Sequence, residues 1–297
     1  MSKSMLTAGS LIRASQGSPA MEARSVIRLT LFYVLLTGTL CALQDQWIYH
    51  RAGESVGDWT FVETEDWVSE ISFSSEDGTE LSGWYGTTDG HSSRGTVLYF
   101  HGNAENVATQ RHELTNICRS LHYNCLVVDY RGFGRSRGAP SEAGILMDAR
   151  AAMRMLNELS GTRPADVIVY GRSLGGAPAA HVASELGAKC LVLHSTYAAM
   201  DDLVAGKLWF APMHWLLWNH LRTIEWVRAY RGPTFIAHGK RDNLIPFAHA
   251  ERLYAASTSS HKVFLPQPDA SHFDAANREF YLALHRFLST VSETPDP

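Results

Sequence analysis

The sequence predicts an α/β fold in which a mostly parallel sheet is covered by helices on both faces. Three observations carry that expectation. From Trp67 onward, short apolar runs of strand length alternate with amphipathic stretches of helix length, the rhythm of repeated βαβ units. The residue types that do chemistry fall just after those runs, at the carboxyl ends of the strands, where such sheets place their active groups. The composition, 45% hydrophobic and 19% charged over 297 residues, suits a single large core, because α/β chains of about 250 residues fold around one sheet. It excludes disordered, collagen-like and coiled-coil chains. With a formal net charge of -4 and no block of Lys or Arg, nucleic acid is not an expected partner. Cys41, Cys118, Cys125 and Cys190 are too few and too scattered for a disulfide framework or a zinc site, and read as mostly packed thiols.

In chain order, a basic arm comes first. In residues 1–28, Lys3, Arg13, Arg24 and Arg28 stand against Glu22 alone, so the arm carries +3 and the rest of the chain -7. Leu29 to Gln44 follow, sixteen residues without a charge. A bilayer span needs about 20 mostly apolar residues and a secretory apolar region about 7 to 15. A signal-anchor helix, a cleaved signal peptide and a soluble helix packed on the domain therefore compete. The anchor is favoured: no small-x-small pair follows the run cleanly, and Leu40 before Cys41 is too bulky for a lipoprotein acceptor site. Arg28 can snorkel to the interface, and Trp47 and Tyr49 fit an aromatic belt at the far boundary. The positive-inside rule then puts the arm in the cytoplasm and the domain on the other side of the membrane; signal cleavage would instead give a secreted or periplasmic protein. Residues 45–66 read as a linker, 67–291 as the folded domain and 292–297 as a tail.

The domain opens with Val68 to Phe73 and Leu81 to Tyr85 around Asp77-Gly78, a strong turn pair that predicts an antiparallel start. Buried strands are expected at 96–100, 125–129, 167–170, 190–193, 234–237 and 263–265. Helices are expected at 107–121, 141–159, 175–186, 247–255 and 277–291. One interval, 195–233, is too long for a loop and holds Trp209, Trp215, Trp218 and Trp226. It reads either as a helical excursion that completes the core or as a cap over an apolar substrate cleft, with Trp209, Phe210, Trp215 and Trp218 as the expected lining.

Gly171-Arg172-Ser173-Leu174-Gly175 follows one strand directly and precedes an apolar helix. In that context G-x-S-x-G marks a turn so tight that only small residues flank the serine, whose Oγ is pushed out above the sheet. A serine hydroxyl needs a general base, and the base needs a partner that fixes its tautomer. In the chain order Ser, acid, His that this architecture requires, Asp242 lies in the loop after 234–237 and His272 in the loop after 263–265. Asp201, Asp202 and Asp269 compete for the acid; His261 and His285 compete less well for the base, one at the wrong end of its strand and the other inside the last helix. The oxyanion needs backbone donors, and the N–H groups of Leu174 and of Asn103, in the loop after 96–100, are the candidates. His101 reads as structural. Gly132 to Gly138 has the spacing G-x-G-x-x-x-G and Pro140 interrupts the helix start beyond it, so it reads as a connecting turn, not a dinucleotide loop. No H-x-x-x-H or H-E-x-x-H pair occurs among the fourteen histidines, and neither a metal nor a cofactor is expected.

Taken together, HGNAEN at 101–106, DYRGFGRS at 129–136, GRSLGG at 171–176 and HGKRDNLIP at 238–246 resemble the α/β-hydrolase superfamily. Within it they resemble a membrane-anchored or membrane-associated subgroup related to serine-aminopeptidase-like and depalmitoylase-like proteins. The resemblance spans 67–288. It implies an eight-stranded sheet with an antiparallel second strand, a short cap at 195–233 after strand six, and Ser173, Asp242 and His272 as nucleophile, acid and base. Asp269-Ala270-Ser271-His272 departs from the Gly-x-Gly-His that relatives often carry. The expected activity is a serine hydrolase that cleaves an ester, thioester or amide of an apolar or lipid-like acyl substrate. An acyltransferase using the same three residues and a non-catalytic binding scaffold are the alternatives. The sequence says nothing about oligomeric state.

Overall fold

In a computed structural model, which describes residues 19–88 and 93–293, the chain divides into two compact units, Met1–Leu43 and Gln44–Pro297. Residues 1–18 of the basic arm and 294–297 of the tail lie outside the described residues. In the first unit the apolar run forms helix α1, Pro19–Ala42, which starts ten residues before the uncharged run. Pro at the first helical position and the helix formers Ala20, Met21, Glu22, Ala23 and Arg24 explain the early start. Within it, Ala20–Ala42 is long and apolar enough to cross a membrane.

The second unit begins earlier than the sequence suggests. Residues 45–66 are not a linker but part of the domain: α2, Gln44–Ile48, and α3, Phe61–Thr64, are tied into it. Tyr49 is buried and donates from its hydroxyl to Asn219 Oδ1 at 2.9 Å, so it is no part of an interfacial belt. The rings of Trp59 and Phe61 pack on Trp84 at 5.8 Å.

The sheet comprises β1 (Val68–Ser74), β2 (Glu80–Gly86), β3 (Thr96–Phe100), β4 (Asn124–Val128), β5 (Val167–Arg172), β6 (Cys190–His194), β7 (Thr234–Gly239) and β8 (Lys262–Gln267). Their order is β1-β2-β4-β3-β5-β6-β7-β8. β2 runs antiparallel to β1 and β4, and the pairings from β4 through β8 are parallel. Strands β3, β6 and β7 are buried along their whole length, as parallel strands covered on both faces must be.

The helices are α4 (Arg111–Thr115), α5 (Glu142–Ser160), α6 (Gly176–Leu186), α7 (Met200–Lys207), α8 (Met213–Leu216), α9 (Thr223–Ala229), α10 (Ala248–Ala256) and α11 (Arg278–Glu293). Because side chains alternate along a strand, Val97, Tyr99, Tyr170, Val192 and Phe235 form one core with Leu114, Ile117, Phe280, Leu284 and Phe287, while α6 packs on β5 and β6. The expected helix at 107–121 is broken into a 3₁₀ turn (Val107–Thr109), α4 and a π-helical turn (Asn116–Ser120). Asn106 caps the first of these turns reciprocally with Thr109. As the resemblance implies, α7, α8 and α9 occupy 195–233 after strand six.

Candidate active site

β5 ends at Arg172, and Ser173 follows with φ +51°, a conformation that L-residues other than Asn and Asp seldom adopt. The flanking glycines make this possible. A Cβ on Gly175 would collide with the Phe100 carbonyl, and one on Gly171 with the Gly175 carbonyl. The Thr196 hydroxyl donates to the Ser173 carbonyl at 2.6 Å and closes the turn.

Three loops at the carboxyl edge converge on this serine. Nε2 of His272 lies 3.1 Å from Ser173 Oγ, and Nδ1 donates to Asp242 Oδ2 at 2.7 Å. Ser173, His272 and Asp242 are all buried. Asp242 Oδ1 accepts from the Leu244 and Ile245 N–H groups at 2.9 and 2.8 Å. His238 Nε2, which sequence reasoning passed over, lies 3.2 Å from Asp242 Oδ2 and 2.9 Å from the Ile245 carbonyl. Burial pushes the Asp242 pKa up, but the hydrogen bonds from His238, His272 and the Ile245 N–H outweigh it and hold the carboxyl well below the usual range. Asp242 is therefore ionised at neutral pH and able to hold the imidazole with Nε2 facing the serine.

The competitors are not brought here. Asp201 faces Arg222, Asp202 pairs with Arg252, and Asp269 is exposed and paired with Arg241. His261 packs against Phe287, and His285 is on α11. In the loop that departs from Gly-x-Gly-His, Asp274 accepts from the Ser271 N–H and hydroxyl, and the Ala270 carbonyl accepts from the Arg241 N–H at 3.0 Å. Side-chain bonding thus shapes a turn that glycines shape elsewhere.

Beside the serine, two backbone N–H groups are left without a committed acceptor. After β3, the Gly102 N–H is committed to Glu105 Oε2 at 2.7 Å and the Ala104 N–H to the His50 carbonyl at 2.7 Å. The Asn103 N–H lies between them with no such commitment. Its side chain is clamped by the Ile48 carbonyl (2.7 Å) and the His50 N–H (2.9 Å). Leu174, at the start of the helical turn, has an N–H without an intrahelical acceptor. Both residues line the same cavity as Ser173 and His272, a space of about 370 Å³. Its other walls include Ile48, Met200, Leu203, Val204, Ile245 and Phe273, apolar side chains suited to an apolar ligand.

Two charged residues unremarked in the sequence support this edge. Arg172, the second residue of G-x-S-x-G, pairs with Glu105, and its guanidinium donates to the His272 carbonyl at 3.3 Å. One ion pair therefore braces the loops that carry Asn103, Ser173 and His272. The expected cavity lining from the cap is displaced. Trp209, Phe210, Trp215 and Trp218 do not line the cavity and are exposed on the outer surface, because the inward positions of that segment are taken by Ala211, Met213 and Leu217. α7 lines the cavity instead. Among the described residues, no group of three or more His, Cys, Asp or Glu side chains is placed to hold a metal ion.

A sequence profile described as the alpha/beta hydrolase fold matches residues 95–213. The uncharacterized protein Rv2307c of Mycobacterium tuberculosis is 32% identical over 226 residues, 75% of this chain and 80% of its own. The uncharacterized protein YfhR of Escherichia coli is 29% identical over 222 residues, 71% and 76% of the two chains. Among solved structures, the Pyrococcus furiosus esterase Pf2001 superposes with a TM-score of 0.66 at 20% identity, over 81% of this chain and 98% of its own. The chain belongs to the α/β-hydrolase superfamily.

Proposed function

We propose that the chain is a serine hydrolase that cleaves an ester or thioester of an apolar acyl group, working from the far side of a membrane that α1 spans as a signal anchor. One observation carries the reading: the hydrogen-bonded run Ser173–His272–Asp242 lies at an apolar cavity. His272 Nε2 takes the Ser173 proton as Oγ attacks the acyl carbonyl. The oxyanion accepts from the Asn103 and Leu174 N–H groups, each worth about 3 to 4 kcal/mol in the transition state. As the intermediate collapses, His272 returns the proton to the departing alcohol or thiol, leaving the acyl group on Ser173. Water, deprotonated by the same imidazole, then releases the carboxylic acid and restores the hydroxyl. The esterase among the fold neighbours supports an ester substrate. The cavity volume of about 370 Å³, near the lower end for small-molecule sites, supports a slender acyl group.

The test is labelling by a fluorophosphonate probe, followed by an ester and thioester panel graded by acyl length. The expected result is labelling of the native chain and none of Ser173→Ala, with turnover that rises with acyl length. Equal labelling of both chains sinks the nucleophile assignment; turnover indifferent to acyl length sinks the substrate class.

A further inference from the structure

We propose that segment 208–218 of the cap is a bilayer-docking surface that seats the cavity mouth on the lipid interface. The segment, LWFAPMHWLLW, holds no Asp, Glu, Lys or Arg. Trp209, Trp215 and Trp218 are 84%, 79% and 52% exposed, while Ala211, Met213 and Leu217 between them are buried. The tryptophans are thus held outward by a packed underside. An exposed cluster of large apolar side chains is the composition of an interaction surface, and tryptophan collects at the headgroup level of bilayers.

Two observations choose a bilayer as the occupant. The first is chain connectivity. The Trp218 N–H donates to Gln44 Oε1 at 2.9 Å, and Asn219 Nδ2 donates to Asp45 Oδ1 at 2.5 Å. Gln44 follows the last residue of α1 by two positions. The cap backbone bonded to Gln44 is therefore held within about 7 Å of chain from the carboxyl end of α1, the end from which an anchor helix would deliver the domain. The second is the cavity rim. Leu203 and Val204 of α7 line the cavity just before the segment begins, and Leu244 and Phe273 line it while being 41% and 77% exposed. An acyl chain passing from lipid to Ser173 would meet mainly apolar side chains along the way, with Lys207 beside them at the edge of the segment. This inference rests on the reading of α1 as a membrane anchor.

The test uses the full chain reconstituted into phosphatidylcholine vesicles, with and without brominated acyl chains. α1 and everything before it contain no tryptophan, and with Trp47, five residues past α1, replaced by Phe in every chain compared, bromine quenching of tryptophan emission reports on the domain and not on the anchor. The expected result is co-flotation with vesicles, quenching in brominated lipid that survives high salt, and loss of that quenching in Trp209→Ser/Trp215→Ser/Trp218→Ser, which still floats and keeps the native circular dichroism. A chain that floats but is not quenched overturns the docking and leaves the anchor standing. Quenching retained by the triple variant assigns contact to another face and overturns it too, as does a patch shielded by a second copy of the chain in cross-linking. A chain that stays out of the vesicle fraction overturns anchor and docking together.

Discussion

The turn around Ser173 and the segment 208–218 differ in what holds them. Ser173 sits at an unfavourable φ, its carbonyl tied to Thr196 and its neighbours packed so closely that no Cβ fits at Gly171 or Gly175. The cap segment has ordinary turn hydrogen bonds beneath and large apolar side chains outside. The first is over-determined from within, as a position storing backbone strain must be. The second turns its bulk toward the surroundings instead. Substitutions at the sheet edge should therefore change a rate by orders of magnitude, whereas substitutions in the cap should change where the protein sits.

The largest effect sharpens that contrast. Ser173→Ala should lower kcat by around a million-fold with an unchanged unfolding midpoint, since the methyl occupies less space than the hydroxymethyl it replaces; single-turnover kinetics beside a thermal melt would read both. Asp242→Asn should cost about ten-thousand-fold, because an amide favours the wrong imidazole tautomer. Its carbonyl still accepts from the Leu244 and Ile245 N–H groups, so a collapse in stability instead of rate would mean that Asp242 is structural. Arg172→Met should cost about a hundred-fold in kcat with little change in KM, the loss expected when braced loops shift by about 1 Å. It should also destabilise, since Glu105 is left without its partner. Arg172→Met/Glu105→Gln should recover stability but not rate, and recovery of neither would show that the pair does not act as a brace.

The parallel strands were legible because burial on both faces writes them as continuous apolar runs, as in Thr96–Phe100 and Cys190–His194. The convergence of Ser173, Asp242 and His272 was legible because their loops fall in order after strands whose carboxyl ends share one edge. The Arg172–Glu105 pair was not, since its partners are 67 positions apart and meet only because β3 and β5 are neighbours in the sheet. Opposite charges after two predicted strands were the available signal. Residues 45–66 looked like a linker because their contribution is made by single groups, such as the Ile48 and His50 carbonyls that hold the Asn103 loop, with no periodicity to read. The cap tryptophans were misplaced for a different reason. Apolarity says that a side chain leaves water, not whether a cavity or a membrane receives it.

The smallest effect tests whether the buried edge is as rigid as its geometry implies. His194 ends β6 with its Nδ1 3.0 Å from the Tyr170 hydroxyl and its ring stacked on Phe280 at 4.2 Å. Burial, and then the charges of Arg172, His238 and His272, hold its pKa well below the ordinary 6.5. In the unfolded chain the same ring regains its ordinary value, so below it the unfolded state binds a proton that the native state refuses. Stability is thus fully present above about pH 6.5 and falls by up to about 1.4 kcal/mol per pH unit as pH drops toward the folded pKa. His249, also held low by burial first, adds to the slope over the same window. Urea unfolding of the native chain and of His194→Gln, followed from neutral to mildly acidic pH, should show a shallower slope in the variant. Equal slopes would mean that His194 charges freely in the folded state, and that this edge opens to water far more readily than the turn at Ser173 allows.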